Sequence, residues 1–340
     1  IPAPVNELTQ LEADEIKPDV GRQAIALELP GETIFVDPGA EDAIFSRSFD
    51  DTETLLALHR FAWIPSLNTI NREAWVVALW QAWCRKYSMP DDDWPWHPYT
   101  TSERLVNILS FIRRVGLIPP RDKTLEILGR HGPAIFERLE YYGEEHTGNH
   151  LANNGRGLFL AGLWTNKTDW ADIGGQILIE EANRIFAPSG ILREGSSHYH
   201  FLVSRWYVDC WLAARQYDRH EREKLEETVR RNLAVLPELL LPGGLPLIGD
   251  VSPDCPPRIL NRILKGEDNS SWTFWSDEDR AALGRLRALS EKINSDRLVD
   301  DGWLRFNYGN WSGIWHGAPQ GWTFFPGHGH RDWGGFELHY

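Results

Sequence analysis

The feature that most constrains this chain is a run of amphipathic segments between about Thr52 and Ile293, with no strand signal among them. TETLLALHRFAWI (52–64), NREAWVVALWQAWCRKY (71–87), TSERLVNILSFIRRV (101–115), DKTLEILGRHGPAIFERLEYYG (122–143) and HLANNGRGLFLAGLW (150–164) come first. DIGGQILIEEANRIFA (172–187), HYHFLVSRWYVDCWLAARQYD (198–218), EREKLEETVRRNLAVLPELLL (221–241) and DEDRAALGRLRALSEKI (277–293) complete the run. Apolar residues recur at three- and four-residue spacing, and many connections carry Gly, Pro, Asn or Asp, so each segment reads as a helix. Eight or nine successive helices cannot build a parallel sheet and must pack on one another, as a bundle, a solenoid or a closed ring of hairpins. No fixed-period repeat is visible, which weakens the solenoid.

The flanks read differently. Residues 1–20 are polar and are expected to be loosely held, and IALELPGETIFVD (25–37) places two β-like runs around a Pro-Gly turn, a small ribbon. Beyond about Asp300, WLRFNYGNWSGIWHG and GWTFFPGHGHRDWGGFEL are aromatic, Gly-rich and alternating, as antiparallel strands are. The expected organisation is an N-terminal extension over 1–50, a helical domain over 51–296 and the beginning of a β domain over 297–340, cut in mid-strand at Tyr340. The chain opens IPAPVNELTQ, with neither an initiator Met nor a signal segment. A leader removed earlier would favour a periplasmic or secreted protein.

A formal charge of −14 argues against nucleic acid as a partner, because neutralising phosphates needs a Lys/Arg excess. It also conflicts with a polyanionic substrate, unless basic residues gather in one cleft. No apolar run approaches a membrane span. Three cysteines (Cys84, Cys210, Cys255) without a CxxC pair argue against a disulfide framework or structural zinc. Seventeen tryptophans suit sugar-stacking platforms, although large aromatic cores account for most such residues.

Three stretches and a histidine pair carry the chemistry. In GNHLANNGRG (148–157) Asn149 and Asn153 share one helix face, as do His150 and Asn154. The Asn and Gly content is poor for a helix, so the segment is either a cap with Asn149 as N-cap or one wall of a polar site. In REGSSHYHFLVSRW (193–206) Ser196 or Ser197 is a natural N-cap, placing Tyr199 in the first turn. The helix dipole there favours phenolate, as a proton-transfer residue needs; the alternative is a core tyrosine with a satisfied hydroxyl. LPLIGDVSPD (245–254) is a structural turn or a site wall. His328 and His330, at i and i+2 of an extended segment, point the same way and could form a metal pair or a base beside a ligand.

WHPYTTSERLVN (96–107), NHLANNGRGLFLAGL (149–163), REGSSHYHFLV (193–203), PLIGDVSPD (246–254) and HGHRDWGGFEL (328–338), in that order, resemble motifs of the heparinase II/III-like polysaccharide lyases, a family that includes heparinase III and several alginate lyases. The likeness runs from about residue 50 to the end. It implies an incomplete (α/α) toroid of helical hairpins, mainly α, followed by the start of an antiparallel β-sheet domain. It also implies β-elimination beside a uronic acid. Asn149 then neutralises the substrate carboxylate with His150 beside it, Tyr199 is general acid and in some substrates base, and His328 is a base or charge stabiliser. Trp96, Arg104, Asn153, Arg156, Glu194 and His198 are expected to bind substrate. His330 falls where some relatives place a metal ligand, which makes it either a ligand of a structural divalent ion, zinc or calcium, or a hydrogen-bonded anchor, in a reaction that needs no cofactor; Asp332 supports that loop. Trp206 stands where some relatives carry a second tyrosine, which bears on the substrate more than the reaction.

The expected partner is an acidic polysaccharide or oligosaccharide, and Arg104, Arg156, Arg193 and Arg205 are the candidates for a local basic cleft. Three rival readings remain: a hydrolase using Glu194 and Asp250 as paired carboxylates, a metal-dependent amidohydrolase built on His328 and His330, and a non-catalytic glycan-binding protein. The HxH of an amidohydrolase belongs on an early barrel strand, whereas here it follows the helices.

Overall fold

A computed structural model describes residues 1–5, 23–67, 72–144, 148–257, 275–289, 295–317, 329 and 334–340. His328, His330 and Asp332 lie outside the described residues. The chain is 58% helical with small antiparallel sheets, so the fold is mainly α, as the periodicity requires.

In chain order the elements are β1 (Ile25–Glu28), β2 (Thr33–Val36), α1 (Glu41–Ile44), α2 (Thr52–Arg60), α3 (Arg72–Lys86), α4 (Pro98–Val115), α5 (Arg121–Gly129) and α6 (His131–Phe136). Then follow α7 (Asn149–Thr165), α8 (Thr168–Ile185), α9 (Ser197–Gln216), α10 (Arg222–Leu239), α11 (Asp277–Leu289), α12 (Ser295–Asp300), β3 (Trp303–Tyr308), β4 (Trp311–His316) and β5 (Phe336–His339). They divide into two compact units. Unit 1 contains residues 1–139 and 157–174, and unit 2 contains 140–156, 175–269 and 275–340.

Unit 1 is organised by indoles. Along α3, Trp80 and Trp83 fall three residues apart on one face and stack at 5.6 Å with rings 8° from parallel. Phe61 meets Trp80 at 5.8 Å and Trp96 meets Trp83 at 5.5 Å. Trp63, Trp80, Trp83, Trp96 and Trp164 are all fully buried, each side chain worth roughly 2–3 kcal/mol of apolar burial. Tryptophan here is mostly core. The single helix expected over 122–143 is two: α5 ends at Gly129 and α6 starts at His131. Gly132 and Pro133 explain the break. A Cβ on Gly132 would lie 2.4 Å from the Trp170 ring, so that turn needs glycine for contact, and Pro133 cannot donate a helical hydrogen bond. The β1–β2 ribbon has the expected Pro-Gly turn, with Ile25, Leu27, Ile34 and Val36 facing inward.

In unit 2, α9 and α10 form an antiparallel hairpin whose connection turns at Asp218 in the left-handed region. Beyond it, α12 occupies 295–300, so strand structure begins at Trp303. β3, β4 and β5 pair antiparallel in that order, with Leu304↔Trp315↔Phe336 and Arg305↔Ile314↔Glu337 in register. Alternation then separates two faces: Leu304, Phe306, Tyr308, Trp311, Trp315, Phe336 and Leu338 are exposed on one, while Trp303, Ile314 and His316 are buried on the other.

Four of the buried imidazoles set an expected pH response. Burial pushes His59 down to about 3, with Arg104 and Lys86 adding repulsion, and holds His131 well below the usual imidazole range. Burial pushes His198 and His200 down to about 4. The unfolded chain therefore binds more protons than the folded one below about pH 6.5, so stability is full above that pH and lost as pH falls towards 4. Glu181, raised by burial to about 7, works in the opposite direction. With four groups against one, at about 1.4 kcal/mol per group per pH unit, thermal melts should show a midpoint that drops steadily from pH 6.5 to 4.5. A midpoint that stays flat or rises over this window contradicts the neutral assignment.

Candidate active site

The Asn-rich motif opens α7, and its side chains are gripped by two carboxylates that are distant in sequence. Glu194 accepts the backbone N–H of Asn149 through Oε1 at 2.9 Å and its side-chain amide through Oε2 at 2.6 Å. Asn149 is the first residue of α7 rather than a cap preceding it, and both its backbone N–H and its side-chain amide are held by Glu194. Glu194 itself supplies the negative charge at the helix N-terminus, where the dipole favours it. The bond to Glu194 fixes the amide's rotation and uses one of its two N–H groups.

The second carboxylate is Glu140, 4% exposed. It meets His150 Nδ1 at 2.7 Å and accepts from Asn154 Nδ2 at 3.0 Å, while its own N–H donates to Asn154 Oδ1 at 2.9 Å. The shared face of His150 and Asn154 thus meets Glu140. An ionised carboxylate only accepts, so Nδ1 of His150 is the protonated nitrogen and the ring is oriented as in a His–carboxylate pair. The imidazole remains 38% exposed.

Tyr199 sits in the first turn of α9. Ser196 is the N-cap, its Oγ accepting the Tyr199 N–H at 3.0 Å. The ring is half-buried. Glu194, which holds Asn149, and Ser196, which holds the Tyr199 N–H, are two residues apart, so one short segment fixes the Asn149 side chain and the backbone of Tyr199. Asn153 is fully buried and accepts from Arg156 Nη1 at 3.3 Å.

The other expected binding residues are placed as follows. His198 is fully buried; its Nδ1 accepts the Ser252 N–H at 3.1 Å and its Nε2 donates to the Cys255 carbonyl at 2.8 Å. Both nitrogens hold the 252–255 backbone. Trp96 and Arg104 belong to unit 1, where each is the other's neighbour in the aromatic core, both at 0% exposure. Arg156 and Arg205 both approach Asp209 Oδ2, at 3.4 and 3.6 Å, and Asp209 Oδ1 accepts from Trp275 Nε1 at 2.7 Å. Arg193 turns back to the Phe186 carbonyl at 3.4 Å. Of the four arginines expected to form a basic cleft, Arg104, Arg156 and Arg205 are buried, while Arg193 is partly exposed.

Sequence reasoning missed Glu140 and Asp209. For Glu140 a partial signal existed: a His and an Asn one turn apart on a buried face demand an acceptor. Asp209 lies four residues after Arg205 in α9, an ion-pair spacing. Gly157, part of the same Asn/Gly motif, serves packing: a Cβ there would lie 2.5 Å from Ser102 Oγ within unit 1.

No family model matches the chain, and no curated protein matches it in sequence. Its fold is similar to that of solved structures. The crystal structure of heparinase III aligns with a TM-score of 0.59 at 16% identity, over 98% of this chain and 60% of that one. A mutant heparan sulfate lyase from Pedobacter heparinus aligns at 0.56 and 18%, over 98% and 57%. The corresponding unmutated lyase aligns at 0.52 and 17%, over 98% and 53%. The chain thus spans between about half and three fifths of the length of these structures, and at such identity the likeness shows a shared fold.

Proposed function

We propose that the chain carries the catalytic groups of a polysaccharide lyase that cleaves a uronic-acid-containing polysaccharide by β-elimination. The observation that carries this reading is Asn149 held by Glu194, its side-chain amide by one carboxylate oxygen and its backbone N–H by the other, two residues before the cap of the helix bearing Tyr199. A fold shared with heparinase III and heparan sulfate lyase structures supports it.

The chemistry needs three acts. The C5 proton leaves, its electron pair forms the C4–C5 double bond, and the C4–O4 bond breaks with a proton delivered to O4. The uronate carboxylate opposes the first act while it is fully charged, so it must be neutralised by donors. Asn149, oriented before substrate arrives, donates its second amide N–H to that carboxylate and to the enolate-like charge that follows. His150, held through Nδ1 by Glu140, stands beside it and presents its other ring nitrogen. Tyr199 protonates O4 and, where substrate stereochemistry puts both protons on one face, also removes the C5 proton. His328 is assigned the base on the opposite face by resemblance. Neither metal nor cofactor enters these steps.

The hydrolase alternative asks Glu194 to act on the glycosidic bond. With both oxygens engaged by Asn149 and no exposed surface, Glu194 is better suited to holding than to protonating. Incubation with heparan sulfate, alginate, hyaluronan and bacterial exopolysaccharides decides between the two. A lyase gives an unsaturated uronate absorbing in the ultraviolet, and we expect it with at least one of them. New reducing ends without that absorbance would establish hydrolysis instead.

A further inference from the structure

The loop 241–250 links two parts of unit 2, and each end of the link has defined chemistry. On one side it rests on β5. The Gly243 N–H donates to His339 Nδ1 at 2.8 Å, the Leu247 N–H donates to Glu337 Oε2 at 2.9 Å, and His339 Nε2 meets Glu337 Oε1 at 2.6 Å. On the other side the same loop grips the start of α9. Ser197 donates its N–H to the Ile248 carbonyl at 3.0 Å and its Oγ to the Pro246 carbonyl at 2.5 Å, and the Ile248 N–H returns to Ser197 Oγ at 3.1 Å. Ser196 Oγ donates to the Asp250 carbonyl at 2.6 Å while accepting the Tyr199 N–H.

We propose that His339 and Glu337 are a positioning pair, which fixes the loop 241–250 and through it the first turn of α9 and Tyr199. The proposal rests on the lyase reading only in taking Tyr199 to be the group whose position matters. The latch has a required protonation state. A backbone N–H can only donate, so Nδ1 of His339 must carry its lone pair and the ring proton must sit on Nε2, facing the carboxylate. A doubly protonated ring would present N–H to N–H at Gly243 and release the loop. Among the described residues, the charged side chains on this face of the sheet are Glu337 on the same strand and Arg305 in register with it on β3. Arg305 is committed to the carbonyls of Pro237, Glu238 and Leu240. His316 lies at the other end of β4, stacked on Trp303 at 4.3 Å, and residues 241–248 contain no ionisable side chain.

The test uses hydrogen exchange together with steady-state kinetics on the whole chain. His339→Ala should raise exchange in 243–250 and 197–200 while leaving 206–216 unchanged. It should lower kcat by on the order of 10- to 100-fold with KM little moved, as misplacement of a reacting group does. His339→Gln accepts with its oxygen and donates with its nitrogen but cannot take up a proton, so it should restore both readouts. Gly243→Ala approaches from the other side, since a Cβ there would lie 2.7 Å from the His339 ring, and should reproduce His339→Ala without touching the strand. Unchanged exchange in both variants overturns the latch, and raised exchange with unchanged kcat overturns its positioning role. A wild type inactive on every polyuronate, whose exchange still responds, overturns the lyase reading and leaves the latch supported.

Discussion

Tyr199→Phe is expected to cut the elimination rate by about 10²- to 10⁴-fold, the range for loss of a general acid–base group, with a thermal midpoint close to that of the wild type. The two parts of this expectation have separate grounds. The backbone of Tyr199 is held by the Ser196 cap and the half-buried ring keeps its packing as phenylalanine, so the helix start should survive. The phenol oxygen, however, is the only atom removed, and it is the atom assigned to move the proton. On the proposed mechanism the loss should fall on kcat, because that mechanism holds substrate through its carboxylate and assigns this hydroxyl only the proton transfer. A variant that keeps full activity removes Tyr199 from the mechanism. A variant that loses activity only through a raised KM makes it a binding residue.

The second large effect is structural. Arg104→Ala is expected to destabilise unit 1 by about 3–5 kcal/mol, as leaving an unfilled, unpaired core site does, and to lower its thermal midpoint by on the order of 10 °C. The guanidinium is fully buried, 4.0 Å over Trp83 and 5.0 Å over Trp96. Its nitrogens donate to the Pro95 and His59 carbonyls, at 2.5 and 3.2 Å, and to His131 Nε2 at 3.1 Å. Burial lowers its pKa to about 9, which leaves it charged at neutral pH. Two indole faces and two carbonyls stabilise that charge in place of a carboxylate. Lysine should not substitute, lacking the planar fork that reaches carbonyls and imidazole together. If Arg104 instead contacts substrate, as the sequence suggested, Arg104→Ala would fold with near-native stability and show a raised KM. Differential scanning calorimetry beside kinetics separates the two outcomes.

The Ser196 cap, the β1–β2 ribbon and the position of most helices were legible in the sequence. Each depends on residues within one turn or one hairpin, and that chemistry is local. Helix 122–143 was misread for the converse reason. Its apolar spacing continues through His131-Gly132-Pro133; the Gly-Pro pair is visible in the sequence, but the approach of Trp170 that requires glycine at 132 is not. The pairing of His150 with Asn154 could be seen as a shared face. Which of the nearby acidic residues would meet that face could not, since Glu137, Glu140 and Glu144 are chemically alike and differ only in where the chain carries them.

The sequence by itself determined that this chain is a succession of amphipathic helices ending in antiparallel strands, because a 3.6- or 2-residue period records which side of an element faces the interior. The tertiary structure alone decided what the polar residues on those sides do. A buried charge is tolerable only with partners, and the partners lie far off: Glu194 is 45 residues from Asn149, His339 is 96 from Gly243, and Arg104 is 27 from His131. Periodicity carries no information about such separations. Long-range packing made Glu194 a holder of the candidate amide, turned Arg104 into the centre of an aromatic core, and joined the last strand to the helix that bears Tyr199.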